Sequence, residues 1–234
     1  MDKILFFTGA GISAESGVPT FRTGDNALWN NTKISDVCDI STFHQNKQLV
    51  FDFYNNIKQQ YAKTMPNKAH EFIAQTQKHF GNDKVKIYTS NIDLLHEKAG
   101  AQNVVHVHGC IDQMNCAYCF KHWPINDEAF TPNTVCPFCG RYKFSKPGVT
   151  FFGEQAPAYK YLLNDFLPDP TKESENVVKI IIGSSLEVVN EFHLAPQYGL
   201  SILVDPNPQK THLFDIVIPK TATHAIPKLQ EILF

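Results

Sequence analysis

Four of the six cysteines are spaced as ligands for one metal ion. They form two Cys-x-x-Cys pairs with 16 residues between them, Cys116 with Cys119 and Cys136 with Cys139. Four thiolates in tetrahedral geometry close a structural zinc site and leave no position open for a reacting water. The spacing therefore predicts one structural Zn²⁺ per chain, without a catalytic role; unmetallated thiols are the alternative. The other two cysteines lack the pattern and are expected to be inert.

A glycine-rich turn follows the first apolar run of the chain. Gly9, Ala10 and Gly11 come directly after Lys3–Thr8. Glycines at this spacing let the backbone approach a pyrophosphate and turn sharply into a helix. Position 14 holds the permitted alanine instead of a third glycine, and the acidic residue expected about 20 positions later is missing. A dinucleotide site and a glycine turn without a ligand therefore both remain open.

Further residues that could bind a ligand or transfer a proton lie after this glycine-rich loop and near two later apolar runs. Arg22, one of only two arginines, has a donor fork that suits a phosphate or a carbonyl-bearing ligand; a surface salt bridge is its alternative. Asn91 and Asp93 follow an apolar run, and alternation directs both side chains toward one cleft. The same alternation is expected to place His106 and His108 on one side, where a histidine could take a proton from a sugar hydroxyl.

The elements that must position these residues are a parallel sheet and its flanking helices. Between the apolar runs, a stripe at helical spacing predicts a helix over Lys47–Lys63, Asn67 is a plausible N-cap for a second, and a third covers Thr223–Leu233. The segment from about Cys110 to Lys146 interrupts the alternation of strands and helices and is interpreted as an insertion. The predicted strands are Lys3–Thr8, Val85–Thr89, Val104–Val107, Val178–Ile182, Leu200–Val204 and Asp215–Ile218.

The composition excludes several classes of protein. The chain has 234 residues, of which 43% are hydrophobic and 19% charged, and this excludes a disordered or fibrous protein. A net charge of -2 provides no basic field for nucleic acid or anionic lipid. No apolar run approaches the roughly 20 residues that span a bilayer. The first run leads into Gly-Ala-Gly rather than a signal cleavage site, so a cytoplasmic location is expected.

Together, these motifs resemble those of the sirtuins, which are NAD-dependent protein deacylases. The resemblance implies an α/β fold, in which a Rossmann-like parallel sheet domain (1–28, 66–109 and 147–234) carries a smaller domain with a helical part (29–65) and a zinc-binding part (110–146). The motifs occur in the family's order over nearly the whole chain: Gly9-Ala-Gly-Ile-Ser13, Gly17-Val-Pro-Thr-Phe-Arg22, Pro66-Asn67 with His70, Asn91-Ile-Asp93 with His96, His108-Gly109, the four cysteines, Phe152-Gly-Glu154 and Gly183-Ser-Ser-Leu186.

The resemblance also assigns roles to residues. His108 matches the family's catalytic histidine, acting on a ribose hydroxyl, and Asn91 and Asp93 frame the nicotinamide ribose. The other residues expected to bind NAD are Gly9, Ala10, Gly11, Ser13, Phe21, Arg22, Ser90, Ile92, Gly183, Ser184, Ser185 and Asp205. The residues expected to border the acyl-lysine are Tyr54, Ile57, Val149, Phe151, Phe152 and Gly153.

The implied reaction is deacylation of an acyl-lysine protein or peptide, with release of nicotinamide and O-acyl-ADP-ribose. Sirtuins that prefer acidic acyl groups carry an arginine three residues after the tyrosine, where this chain has Ile57. We therefore expect a deacetylase, because a buried acidic tail would lack its charge partner. Mono-ADP-ribosyl transfer, NAD hydrolysis and a non-catalytic NAD sensor are the alternatives; neither nucleic acid nor membrane is an expected partner, and the oligomeric state is left open.

Four departures from the family's pattern bear on cofactor and substrate binding. Ser90 stands in place of a glutamine, Asp205 in place of an asparagine near the adenosine ribose, and Asn190 in place of a proline. Lys146 replaces the common arginine before Pro147. These changes concern NAD affinity and substrate fit rather than the class of reaction.

Overall fold

The computed structural model describes residues 1–20, 32–125, 128–167, 176–189, 191–194 and 198–234. Within them, two sheets organise the chain. The strands are β1 (Lys3–Thr8), β2 (Val85–Thr89), β3 (Val105–His106), β4 (Gly109–Cys116), β5 (His122–Pro124), β6 (Ser145–Val149), β7 (Val177–Ile182), β8 (Leu200–Val204) and β9 (Ile216–Ile218).

The larger sheet is parallel and has the order β3-β2-β1-β7-β8-β9. Its central strand β1 pairs with β2 on one side and with β7 on the other, so that Thr8 lies between Thr89 and Ile182. The carboxyl ends of these three strands therefore meet at one edge, where a ligand of an open parallel sheet binds. All six predicted strands are confirmed, and each ends within two residues of its expected position.

Helices cover both faces of this sheet. One face packs against the helices Lys68–Phe80 and Ile226–Leu233, which contribute Ile73 and Leu229, and the other packs against the helix Tyr159–Phe166, which contributes Leu162. Burial on both faces explains the continuous apolar runs in the strands. The helices are α1 (Ala10–Ala14), α2 (Ile34–Val37), α3 (Lys47–Lys63), α4 (Lys68–Phe80), α5 (Leu95–Lys98), α6 (Tyr159–Phe166), α7 (Glu191–Leu194) and α8 (Ile226–Leu233).

The local signals for two helices are confirmed in detail. The stripe over Lys47–Lys63 forms α3, with Val50, Tyr54 and Ile57 buried. Asn67 caps α4 by accepting the Ala69 N–H, and the capping arrangement includes the side chain of the third helical residue. The C-terminal helix differs slightly, because 223–225 form a 3₁₀ turn before α8 begins.

A second, smaller part consists of an antiparallel sheet of order β5-β4-β6 packed against α3. Its apolar cluster joins Phe51 and Tyr54 of α3 to Ile111 and Met114 of β4 and to Phe151. The predicted fold class is therefore confirmed as a Rossmann-like core with a small sheet and helical part. The domain limits stay a prediction; β4 and β6 extend slightly beyond the range 110–146. No helix in the described ranges is both long and apolar enough to cross a membrane.

Candidate active site

The loop after β1 touches the loop after β7 backbone to backbone. The Gly11 N–H donates to the Gly183 carbonyl oxygen at 2.9 Å. A Cβ on Gly9 would lie 2.5 Å from that oxygen, and a Cβ on Gly11 would lie 2.6 Å from the Gly183 Cα. Gly183 itself has φ +65°, a conformation that favours glycine. These positions therefore require glycine, and we call the three residues the glycine cradle.

Ser13, in α1, connects the two polar residues that follow β2. Its hydroxyl donates to Asp93 Oδ2 at 3.0 Å and accepts from Asn91 Nδ2 at 3.2 Å. Asn91 Nδ2 also donates to the Gly9 carbonyl oxygen at 3.1 Å. The expected convergence of Asn91 and Asp93 therefore occurs at one buried hydroxyl, beside the glycine cradle. Sequence reasoning named Ser13 but not its central place in this network.

Two buried histidines lie behind Ser13. His70 Nε2 is 3.4 Å from Ser13 Oγ, and His96 Nε2 is 2.8 Å from Thr8 Oγ1. Burial lowers the pKa of His70 to about 4 and lowers that of His96 well below its usual value. Both rings are therefore neutral at pH 7. Burial conversely raises the pKa of Asp93. The hydrogen bonds that its carboxylate accepts from the Leu95 N–H and the Ser13 hydroxyl lower this pKa, but burial has the larger effect.

His108 follows β3 and presents a nitrogen without a protein partner. Its Nε2 is buried and has no hydrogen bond within the described part of the chain. The backbone is fixed, because the His108 carbonyl oxygen accepts the Thr150 N–H at 2.8 Å. Burial lowers the pKa of this histidine, so the ring is a neutral base at pH 7. β3 ends at His106, so strand alternation does not extend to His108.

The remaining residues expected at the cofactor lie mostly along the same edge. Ser90 donates its hydroxyl to the Thr8 carbonyl oxygen at 3.2 Å, and Ser184 Oγ accepts the Leu186 N–H at 3.3 Å. Asp205 follows β8; its Oδ1 accepts the Asn207 N–H at 2.9 Å, and burial raises its pKa. The other expected positions are placed as follows: Ala10 opens α1, Ile92 packs on the small apolar cluster, Ser185 is exposed, and Phe21, Arg22 and Asn190 lie outside the described residues.

The residues expected at the acyl-lysine fall into a buried group and an exposed pair. Tyr54, Ile57, Val149 and Phe151 share one apolar cluster. The rings of Tyr54 and Phe151 stack with their centroids 5.7 Å apart. Phe152 is 43% exposed, and Gly153 beside it is exposed with φ +84°. The chain therefore turns outward directly after Phe151.

A fully buried lysine supports this turn, at a position where the sequence shows only a departure from the family's pattern. Lys146 Nζ lies 3.0 Å from Glu154 Oε2 and 3.7 Å from the centroid of the Phe151 ring. It also donates to the carbonyl oxygens of Pro147 and Val149. Its burial could not be deduced from the sequence, because lysines are almost always exposed unless they are paired.

The four cysteines of the small part converge. Their Sγ atoms all lie within 4.8 Å of one another, with Cys116 and Cys139 3.8 Å apart and Cys119 and Cys136 3.6 Å apart. Zn–S bonds of about 2.3 Å in a tetrahedron place sulfurs about 3.8 Å apart, so this donor set fits a structural zinc. The other thiols, Cys38 and Cys110, are buried, and burial raises the pKa of each.

A sequence model of the Sir2 family matches residues 9–190, which is most of the chain. The chain is a sirtuin. Two curated relatives, both called NAD-dependent protein deacylases, extend the likeness over almost its full length. The one from Helicobacter pylori is 33% identical over 99% of each chain. One from Archaeoglobus fulgidus is 35% identical over 97% of this sirtuin and 89% of the relative.

Solved structures agree with the fold of this sirtuin. A Sir2 homologue in complex with NAD superposes with a TM-score of 0.80 at 27% identity and covers 99% of this chain and 89% of its own. A mutant Sir2 homologue with ADP-ribose gives 0.82 at 27% identity, with 99% and 91% covered. Two features of the site fit a dinucleotide of this kind. The glycine cradle lets the protein backbone lie close to the dinucleotide, and the unpaired His108 Nε2 offers it a hydrogen-bond acceptor.

Proposed function

We propose that this sirtuin removes uncharged acyl groups, acetyl foremost, from lysine side chains of proteins in a reaction that consumes NAD. The observation that carries the proposal is the neutral His108 ring, whose buried Nε2 has no partner among the described residues. With the ring proton on Nδ1, Nε2 is a buried acceptor that costs free energy while it is unpaired, and a ligand that supplies a donor offsets this cost. A ribose hydroxyl is such a donor.

NAD, when bound, supplies nicotinamide as a leaving group and ADP-ribose as the acceptor of the acyl group. The glycine cradle admits the pyrophosphate close to the backbone. Asn91 and Asp93, joined through Ser13, hold and orient the nicotinamide ribose. His108 Nε2 takes the proton of a ribose hydroxyl, which makes that oxygen a nucleophile toward the acyl carbon. The apolar ring of Phe152, which is exposed in this structure, would exclude water from the reacting centre once cofactor and substrate lie against it.

The preference for an uncharged acyl group is supported by the charges near the proposed acyl site. Tyr54 and Ile57 are each 2% exposed and lie in an apolar cluster. In the part of the chain that the structure describes, the buried lysine in contact with this cluster is Lys146, and Glu154 already neutralises it. An acidic acyl tail would therefore be desolvated without a free cation to pair with it.

A single experiment tests the role of His108. Mass spectrometry follows an acetyl-lysine peptide with NAD for the wild type, for His108→Ala and for a control, His79→Ala, which changes an exposed histidine of α4. We expect His108→Ala to lose roughly 10²- to 10⁴-fold in turnover, the usual contribution of a general base, and to keep its affinity for NAD. Normal turnover in this variant would refute the assignment. ADP-ribose attached to protein without deacylation would refute deacylation itself.

A second experiment tests acyl choice. Ile57→Arg introduces a cation beside Tyr54, and Ile57→Met changes shape without charge. We expect the arginine variant to raise the ratio of succinyl to acetyl turnover by roughly 10- to 150-fold, which corresponds to about 1.5–3 kcal/mol for a hydrogen bond to a charged group. The methionine variant should leave the ratio unchanged. A wild-type preference for succinyl peptide would contradict the proposal.

The proposed partner is an acyl-lysine segment of a protein, rather than nucleic acid or membrane. A cytoplasmic location completes the proposal. It is supported by the six cysteines, none of which forms a disulfide and four of which are grouped as metal ligands, because such groups persist in a reducing compartment.

A further inference from the structure

His106, two residues before the proposed base, makes two hydrogen bonds that together define its charge. Its Nδ1 lies 2.8 Å from the carbonyl oxygen of Asn91, and its Nε2 lies 2.9 Å from Oε1 of Glu97. Both partners are acceptors only, so each ring nitrogen must carry a proton. Because a neutral imidazole has only one N–H, the ring that satisfies both partners is an imidazolium.

The surroundings of the ring favour that charge. The His106 side chain is only 10% exposed, and Glu97 Oε2 is buried without a partner in the described ranges. Burial favours the neutral ring, but the neighbouring Cys110 and Glu97 side chains outweigh it and hold the pKa of His106 well above its usual value. Glu97 faces the ring from α5 and Cys110 from β4.

The two acceptors lie on either side of Asp93. Asn91 precedes it, and Glu97 follows it in α5. The side chains of Asn91 and Asp93 are held by Ser13, whereas the backbone carbonyl of Asn91 is held by His106. One cation therefore ties both ends of the segment 91–97, and that segment carries the two residues proposed to frame the nicotinamide ribose.

We propose that His106 is a positioning residue for NAD, which fixes the segment 91–97 by joining the Asn91 carbonyl to the Glu97 carboxylate. This inference rests on the proposed function for the part that Asn91 and Asp93 play. His106 acts through these residues and does not touch the reacting atoms. Its task differs from that of His108, which must be neutral to accept a proton.

The charge of His106 gives the proposal a pH dependence. The ion pair is fully present below about pH 6.5, the unperturbed pKa of histidine, and is lost as the pH rises through the elevated pKa of the folded protein. The groups that face the ring are Glu97, Cys110, Asp93 and His96. NAD binding should therefore weaken on the alkaline side.

The test uses two variants and a matched control in the full chain. His106→Phe keeps a ring but removes both donors, and Glu97→Gln keeps the shape but removes the charge. His122→Gln is the control, because His122 lines the same cavity of about 400 Å³ as His106 but belongs to β5. Calorimetry gives the NAD dissociation constant from pH 6 to 9, and NMR of the ring protons gives the pKa of His106.

We expect His106→Phe to raise the NAD dissociation constant at pH 7 by roughly tenfold or more, with the affinity for acyl peptide unchanged. We expect Glu97→Gln to lower the pKa of His106 and move the alkaline loss of NAD binding to lower pH. Wild-type NAD affinity in both variants, or a His106 pKa that does not move in Glu97→Gln, would overturn the proposal. If His106→Phe fails to fold, the Glu97→Gln measurements decide the question.

These readouts are separate from those of the proposed function. A wild-type protein that binds NAD but does not deacylate would refute the proposed function, and the NAD affinities and the NMR titration would still decide the role of His106.

Discussion

Replacing Lys146 by methionine should break the buried ion pair beneath the proposed acyl site. Methionine fills much of the space of the lysine stem but leaves the Glu154 carboxylate, whose side chain is only 15% exposed, without its cation. Removing one partner of a buried pair costs about 3–5 kcal/mol because the other charge stays buried and uncompensated. Since Glu154 retains some contact with solvent, we take the lower end, about 3 kcal/mol.

For a chain of this size, each kcal/mol shifts the melting temperature by about 2–4 °C, so Lys146→Met should lower it by about 6–12 °C. The double variant Lys146→Met with Glu154→Gln should recover most of this loss, because glutamine carries no charge and can still accept the Phe151 N–H that Glu154 accepts at 2.8 Å. Differential scanning calorimetry measures both values. The KM for acetyl peptide should rise in the single variant, since Lys146 also supports the turn from Val149 to Gly153.

A control separates loss of the pair from loss of a lysine. Lys47 in α3 also lies near aromatic rings, with its Nζ 5.9 Å from the Phe43 centroid, but it is partly exposed. Lys47→Met should shift stability by less than about 1 kcal/mol. If Lys146→Met melts at the temperature of the wild type, or if the double variant is no more stable than the single one, the argument from an uncompensated buried carboxylate is wrong.

Two further predictions concern metal and pH. Removing zinc with a chelator should unfold the antiparallel sheet of the small part, because thiolate–zinc bonds contribute directly to folding. Circular dichroism measures this loss of structure. An unchanged spectrum in protein shown to be zinc-free would contradict the prediction. His70 has a folded-state pKa of about 4 against 6.5 in the unfolded chain, so its contribution to stability is present above pH 6.5 and is lost as the pH falls toward 4. The unfolding free energy should drop by about 3 kcal/mol over that range, less in His70→Gln, and equal pH profiles for the two proteins would contradict this.

The strands of the large sheet could be predicted because each is buried on both faces. Lys3–Thr8 and Val85–Thr89 are continuous apolar runs, and this local property alone locates β1 and β2. The stripe of α3 and the Asn67 cap of α4 are equally local. By contrast, the sequence carries no such signal for α6, because only Leu162 and Phe166 are buried in its eight residues and two positions do not make a periodic pattern.

The small sheet and the site network depend on contacts between distant residues. β4 pairs with β6 through a register shift between Gly109 and Met114, which no alternation in the sequence reveals. Ser13 meets partners 57 and 80 residues away, so its convergence with His70 and Asp93 follows from the fold alone.

The charges of the two histidines near β3 also could not be deduced from their spacing. Alternation predicts only that His106 and His108 share one side, but His106 lies between two acceptors and His108 Nε2 has no partner in the described part of the chain. The protonation states of the two rings therefore differ because only His106 has hydrogen-bonding acceptors beside it, and both acceptors come from the segment 91–97.

The glycine cradle has a consequence for how the protein is made. It forms only when the loop after β1 meets the loop after β7, and β1 can pair with β7 only once Val177 has been synthesised to lie beside Lys3. At about 5–20 residues per second, a ribosome needs roughly 10–30 s to reach that point, and one edge of the first strand stays open during this time. Nascent chains that stop short of β7 should therefore recruit chaperones and fail to bind nucleotide.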